Sequence, residues 1–231
     1  MGAERFAILV VADAPRPGAT KPALEPMLGA EGCARLQRAL IARAARWAAA
    51  HGEPYVAYAP AAAREEIAAL APAGATLFAQ AEGHRGERLA AAFQRVAAEH
   101  GGPVLMIGTD QPALSERHAW AAADDLGDVD VTLGPANAGG YYLLGARRFD
   151  PALFAIDPAA WGGGRVMTLT LQSLVDADLT FGWLRSERDL VGPGDAAALL
   201  ADPCAPSDIR EALESAQVAS WRDQCRQPPR S

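Results

Sequence analysis

Short apolar runs alternate with longer segments of helical periodicity along most of the chain. The runs at 6–12, 55–59, 75–80 and 104–109 are bounded by turn formers and read as strands of a sheet covered on its faces. Between them, Leu36, Leu40, Ile41 and Trp47 recur near helical spacing within 30–51. Segment 64–70 also reads as a helix, and Leu89, Phe93 and Val96 share one face of a helix over 87–100. This alternation predicts parallel strands joined by crossover helices. Ser115 suits the N-cap of a further helix ending at Leu126, with Glu116 near its positive end, and 128–134 reads as the next strand.

The rhythm breaks after Gly134. PANAGGYYLLGARR holds a turn cluster and then a strand, with no room for a crossover helix, which predicts a hairpin or a strand reversal. A helix over 166–177 and a strand over 180–184 complete the sheet; a helix over 207–226 follows, and 228–231 is expected to fray. No internal repeat or low-complexity linker interrupts the pattern. The expectation is one α/β domain over 1–231, GT-A-like once the resemblance given below is added, with a mixed, mostly parallel sheet flanked by helices on both faces.

Composition narrows the function more than the fold. The chain has 231 residues, enough for one substantial core, and its hydrophobic share of 50% is inflated by alanine. Lys and Arg total 21 against 28 Asp and Glu, a net charge of −7 that argues against a nucleic-acid surface. The first apolar run is interrupted by Asp13, too soon for a signal core or a membrane span, and Phe6 stands where a myristoylation pattern needs Ser or Thr. These features predict a cytoplasmic protein with no membrane or nucleic-acid partner and leave the oligomeric state open. Cys33, Cys204 and Cys225 are odd in number and widely spaced, so they read as plain thiols.

The segments that could carry chemistry fall at strand ends. PVLMIGTDQPAL runs from a buried strand into Gly108, Thr109 and Asp110 and turns at Pro112. An aspartate there stands where open α/β sheets bind ligands and can hold a metal; an Asx turn uses the same residues, and the segment alone leaves both open. After the first strand, ADAPRPGATK could offer Arg16 and Lys21 to phosphates, although it matches neither the Walker nor the dinucleotide fingerprint and equally suits a solvated loop. GHRGER brings Arg88 to a helix start whose free amides could face an anion, while His84 alone reads as a surface residue. In GPANAGGYY, Gly139 and Gly140 permit close backbone approach, and Tyr141 and Tyr142 supply rings and hydroxyls; two glycines before aromatics also make an ordinary hairpin. WGGGR at 161–165 reads as a mobile loop, which could be a lid over a site or equally a plain disordered loop.

In this order, and over most of the chain, these segments resemble the DUF2064 proteins, known also as arsenosugar-biosynthesis-type glycosyltransferases. The resemblance rests on AILVVADAPRPGATKPAL, GHRGERLAAAF, VLMIGTDQPALS, VDVTLGPANAGGYYLLGARR and the Trp161 segment. It implies a nucleotide-diphospho-sugar transferase fold of the GT-A kind, related in shape to small nucleotidyltransferases. It makes Asp110 the counterpart of the metal-binding aspartate, holding Mg²⁺ or Mn²⁺ on a diphosphate, with Gly108 and Thr109 leading into it and Lys21 near the phosphates as its catalytic partner. Ala12, Asp13, Arg16, Gly18 and Arg88 are implied around a nucleotide or nucleotide sugar, with Gly139, Gly140 and Tyr141 toward a small-molecule acceptor.

Several positions depart from the family's pattern. Ala138 stands where members usually carry Asp before Gly-Gly-Tyr, which removes a natural second metal ligand or base. Lys21-Pro22-Ala23-Leu24 replaces Lys-Thr-Arg-Leu, Gly83-His84-Arg85-Gly86 replaces Gly-Asp-Leu-Gly, and Gln111 replaces Cys. Ser186-Glu187-Arg188-Asp189 falls where an Asp-rich segment is usual. Three functions are compatible with this chain: glycosyl transfer from a nucleotide sugar, which leads; nucleotidyl transfer from a nucleoside triphosphate with release of pyrophosphate; and non-catalytic binding of a nucleotide or partner, for which Ala138 speaks.

Overall fold

The structure, a computed structural model, describes residues 6–214. Seven strands form one sheet: β1 (Ala7–Asp13), β2 (Glu53–Ala59), β3 (Thr76–Ala79), β4 (Val104–Ile107), β5 (Val131–Pro135), β6 (Tyr141–Ala146) and β7 (Phe181–Trp183), in the spatial order 3-2-1-4-6-5-7. β1 pairs in parallel with β2 and β4, β2 with β3, and β5 with β7. β6 runs antiparallel to both β4 and β5, the reversal predicted from the turn cluster after Gly134.

Helices α1 (Glu25–His51), α2 (Arg64–Ala68), α3 (Arg85–His100), α4 (Glu116–Asp128), α5 (Val166–Asp176), α6 (Pro193–Ala201) and α7 (Ser207–Leu213) surround this sheet. Each face buries its own cluster. Ile8, Val10, Val56 and Leu105 meet Ile41 and Trp47 of α1 and Ala122 and Leu126 of α4 on one side. Leu9, Tyr55, Met106 and Leu144 meet Leu89, Phe93 and Val96 of α3 and Leu174 of α5 on the other. A third cluster joins Leu24, Leu28, Leu36 and Leu40 to Leu190, Ile209 and Leu213, clamping the C-terminal segment against α1. At about 25 cal/mol per Å² of buried apolar surface, these clusters supply the main driving force for folding.

Several element boundaries differ from the sequence expectation for local reasons. α1 begins at Glu25 rather than at residue 30, with Pro26 in its first turn and a break at Gly29, whose φ of 67° and ψ of 166° are not helical. Residue 128 ends α4, so β5 starts later than expected, at Val131. Helix α6 was not expected, because Gly192-Pro193-Gly194 looks like a loop; Pro193 instead occupies the first helical turn and Asp195 accepts from the backbone N–H of Gly192 at 2.9 Å. The expected helix over 207–226 is present as α7 to Leu213; its remainder, the frayed end and Cys225 lie outside the described residues. Ser115 is the N-cap of α4 as expected, its N–H donating to His118 Nδ1 at 3.0 Å.

Parallel β1 and β4 end at the same edge of the sheet, and their crossovers diverge there because β2 and β3 lie on one side and β6, β5 and β7 on the other. Such a switch point opens a crevice beyond the strand ends.

Candidate active site

A cleft of about 440 Å³ occupies that crevice. Its walls come from the loop after β1, the ends of β3 and β4, the start of α3, the β5–β6 hairpin, the 161–163 loop and the segment after β7. Asp13, Lys21, Arg88, Gly108, Thr109, Asp110, Gly140 and Tyr141 all line it, so most of the residues singled out in the sequence converge.

Lys21 sits in a left-handed conformation (φ 52°) at the end of the β1 loop, which turns its side chain inward. Its ammonium is buried and donates to Asp110 Oδ1 at 2.6 Å and to the Leu190 carbonyl at 2.9 Å. Asp110 itself is half-exposed, with Thr109 Oγ1 also donating to Oδ1 at 3.2 Å. Leu190 N–H closes the junction by donating to the Asp110 carbonyl at 2.7 Å. Buried Gln37 on α1 ties the two strand ends together, its Nε2 donating to the Asp13 carbonyl at 3.1 Å and to Thr109 Oγ1 at 3.3 Å.

Asp189 is the residue that sequence reasoning did not select. It lines the cleft beside Asp110, and its pKa is pushed up to about 6 by burial first, then by the charges of Asp110 and Asp195, with Lys21 opposing. Its Oδ1 is buried without a hydrogen-bond partner. The only hint in the sequence was its place in the segment that departs from an Asp-rich pattern, and chain distance from Asp110 hid the pairing.

Other candidates lie elsewhere. Arg16 pairs with Glu66 at 3.1 Å and lines a neighbouring recess rather than the cleft itself. Ala12 is buried and offers its carbonyl to Gln80 Nε2 at 3.4 Å. Gly18 (φ 72°) makes the outer turn of the β1 loop with nothing nearby. Gly139 (φ 92°) stands behind the cleft wall: a Cβ there would clash with the Gly164 carbonyl, and its own carbonyl accepts from Met167 N–H at 3.0 Å. That contact docks the 161–165 loop on the hairpin. His84 caps α3, accepting from Gly86 N–H at 3.2 Å. Ala138 lines the cleft with a methyl group.

Among the described residues, six buried side-chain polar atoms have no hydrogen-bond partner, and five of them belong to cleft residues: Gln37 Oε1, Arg88 Nε, Tyr141 Oη, Trp161 Nε1 and Asp189 Oδ1. Buried polar groups are ordinarily satisfied, at a cost of about 1–3 kcal/mol each when they are not. Their concentration in one place makes this cleft the candidate binding surface for a polar ligand.

A divalent cation suits one end of this surface. Asp110 and Asp189 are two carboxylates of which one has an unpartnered oxygen. Among the described residues no group of three or more His, Cys, Asp or Glu could hold a metal alone. Mg²⁺ is commonly bound by one or two carboxylates with phosphates and water completing the shell, so the donor set fits.

Sheet order, switch-point cleft and paired carboxylates together define an α/β protein of the GT-A-like fold. The profile of DUF2064, described as uncharacterized protein conserved in bacteria, matches residues 34–162, and the chain belongs to this family. A crystal structure from Desulfovibrio desulfuricans G20, inferred to be a nucleotide-diphospho-sugar transferase, is similar with 28% identity and a TM-score of 0.78 over 94% of each chain. A cytidylyltransferase from Leptospira borgpetersenii serovar Hardjo-bovis shares the fold at 12% identity and a TM-score of 0.53, covering 98% of this chain and 99% of the other. So does the inositol-1-phosphate CTP transferase from T. maritima, at 11% identity and a TM-score of 0.50, covering 92% and 96%. No curated protein sequence matches the chain. No helix among the described residues is long and apolar enough to cross a membrane.

Proposed function

We propose that the protein is a transferase that moves a glycosyl group from a nucleotide-diphospho-sugar to a small acceptor. The observation that carries this reading is the convergence of Lys21, Asp110 and Asp189 at a switch-point cleft whose buried polar atoms await partners. The likeness to the Desulfovibrio structure supports the same class.

In this reading Asp110 and Asp189 would hold Mg²⁺ or Mn²⁺, which would supply positive charge to the diphosphate leaving group. Lys21 lies beside Asp110 and supplies a second, fixed positive charge to the same oxygens. Gln37 holds the β1 and β4 ends in register, so that Gly108 and Thr109 present backbone to the donor without rearrangement. Tyr141, Gly140 and the 161–163 loop wall the acceptor side. The bond from the anomeric carbon to the diphosphate breaks, a bond to the acceptor oxygen forms, and the acceptor proton is released.

Incubation with nucleoside triphosphates and nucleotide sugars, followed by chromatography of the nucleotide products, tests this. Release of nucleoside diphosphate is the expected result. Release of pyrophosphate from a triphosphate would assign nucleotidyl transfer instead, and binding without either product would make the chain a non-catalytic member, as the methyl of Ala138 would favour.

A further inference from the structure

One part of the cleft contains hydrogen-bond donors and no engaged acceptor. Arg85 and Arg88 project from the first turn of α3 into it. Among the described residues neither side chain takes part in an ion pair or a hydrogen bond, although both line the cleft. The carboxylate nearest in sequence, Glu87, is turned back onto His84, whose N–H and Nε2 it meets at 3.1 and 3.5 Å. Arg88 Nε is buried without a partner.

Two further donors join them. Trp161 reaches across from the 161–163 loop so closely that a Cβ on Gly86 would lie 2.5 Å from its Nε1, and that indole N–H is buried and unpartnered. The Tyr141 hydroxyl lies toward Arg85 and Thr170, and no hydrogen bond of normal geometry satisfies it or the Thr170 hydroxyl. In a chain of net charge −7, two unpaired arginines with two desolvated neutral donors are not part of a general basic surface. Arginine forks with neighbouring N–H and O–H groups match the several acceptor oxygens of a compact anion.

We propose that Arg85, Arg88, Trp161 and Tyr141 form a subsite for an oxyanion, a phosphate or carboxylate group carried by the acceptor, separate from the Lys21–Asp110 end that takes the donor's diphosphate. Calling the ligand the acceptor rests on the transferase reading; the anion site itself does not. It also moves Arg88 from the nucleotide, where the sequence resemblance put it, to the second substrate. The acceptor is accordingly an acidic small molecule, and neutral analogues of it bind more weakly.

The test is calorimetric titration of the full chain with inorganic phosphate and with acetate, accompanied by the fluorescence of Trp161 read as the difference from Trp161→Phe. Arg85→Gln and Arg88→Gln are each expected to weaken phosphate binding about tenfold, with a smaller loss in Trp161→Phe. Lys21→Met is expected to leave it unchanged, and both arginine variants to bind Mn²⁺ with a nucleoside diphosphate as the unaltered chain does. Circular dichroism verifies that each variant is folded, and Arg85→Lys, which keeps the charge without the fork, should recover only part of the affinity. Absence of phosphate and acetate binding, equal binding in both arginine variants, or loss in Lys21→Met instead would overturn the proposal. So would parallel loss of nucleoside diphosphate binding in the arginine variants, which would assign them to the donor. Failure of every nucleotide to bind while phosphate still does would end the transferase reading and leave the anion site standing.

Discussion

The Lys21 ammonium is buried against Asp110, 2.6 Å from Oδ1, while the carboxylate it meets is half-exposed to the cleft. The pair therefore joins a fixed cation to an anion that a ligand can still reach. It also ties the β1 loop to the segment after β7, because the same ammonium donates to the Leu190 carbonyl.

Replacing Lys21 by Met is expected to cost about 1–2 kcal/mol of stability, mainly because the Leu190 carbonyl loses its charged donor and less because of the partly screened ion pair. Nucleoside diphosphate binding should weaken about tenfold or more, since the positive charge beside the phosphates is gone. Urea unfolding and calorimetry measure the two effects separately.

Asp189 gives the apo protein a specific pH dependence. Its pKa is raised from 3.8 to about 6 in the folded state, so between these values the native chain holds a proton that the unfolded chain has lost. The contribution to stability is therefore full below about pH 4 and lost as pH rises through about 6. Asp189→Asn should remove it, leaving the variant about 1–2 kcal/mol more stable than the unaltered chain at about pH 7, after allowance for partial solvent access, and little different at about pH 4. The same variant should lose its response to Mn²⁺. Denaturation at the two pH values, with and without the metal, reads both.

Gly139 has a φ of 92° and lies against the Gly164 backbone. Gly139→Ala meets both a disfavoured conformation and a backbone clash, and is expected to destabilise by roughly 1–3 kcal/mol while releasing the 161–165 loop. Thermal unfolding reports the first; proteolysis within the loop, faster than in the unaltered chain, reports the second.

Ala138 lines the cleft at the position where the family resemblance expects Asp. Ala138→Asp should tighten Mn²⁺ binding by about tenfold in the presence of nucleoside diphosphate, because a hard cation gains an oxygen ligand there. Titration calorimetry of the two chains under identical conditions measures this.

Much of the architecture was legible because periodicity survives in short windows. Buried β4, VLMI, carries no polar residue and could be little else than a central strand, and the turn cluster between Pro135 and Tyr141, too short for a crossover helix, forced the reversal that β6 displays. α6 was hidden because a Gly-Pro-Gly opening reads as a breaker, while Pro in a first helical turn is favourable. Of the site, the sequence singled out Asp110 and Lys21, and the fold brings these two side chains together in the cleft. The site was illegible where side-chain traffic decides. Arg16 looks as suited to phosphate as Lys21, but Glu66 on α2 holds it away. Gln37 lies inside α1 and Asp189 follows β7, and only the return of the chain alongside β5 as β7, with Leu190 N–H donating to the Asp110 carbonyl, brings the second to Asp110.

The measurement that tests the central claim most directly is a thermal-shift series of nucleoside diphosphates, triphosphates and nucleotide sugars, with and without Mg²⁺ or Mn²⁺, on the unaltered chain and on Asp110→Ala. A ligand at a hundredfold excess over its Kd adds about 2.7 kcal/mol, which for a chain of this length raises the transition on the order of 5–10 °C. The account predicts such a rise with a nucleotide sugar, dependent on the metal and absent in Asp110→Ala. No rise with any nucleotide under any metal condition, or an equal rise in Asp110→Ala, would contradict it.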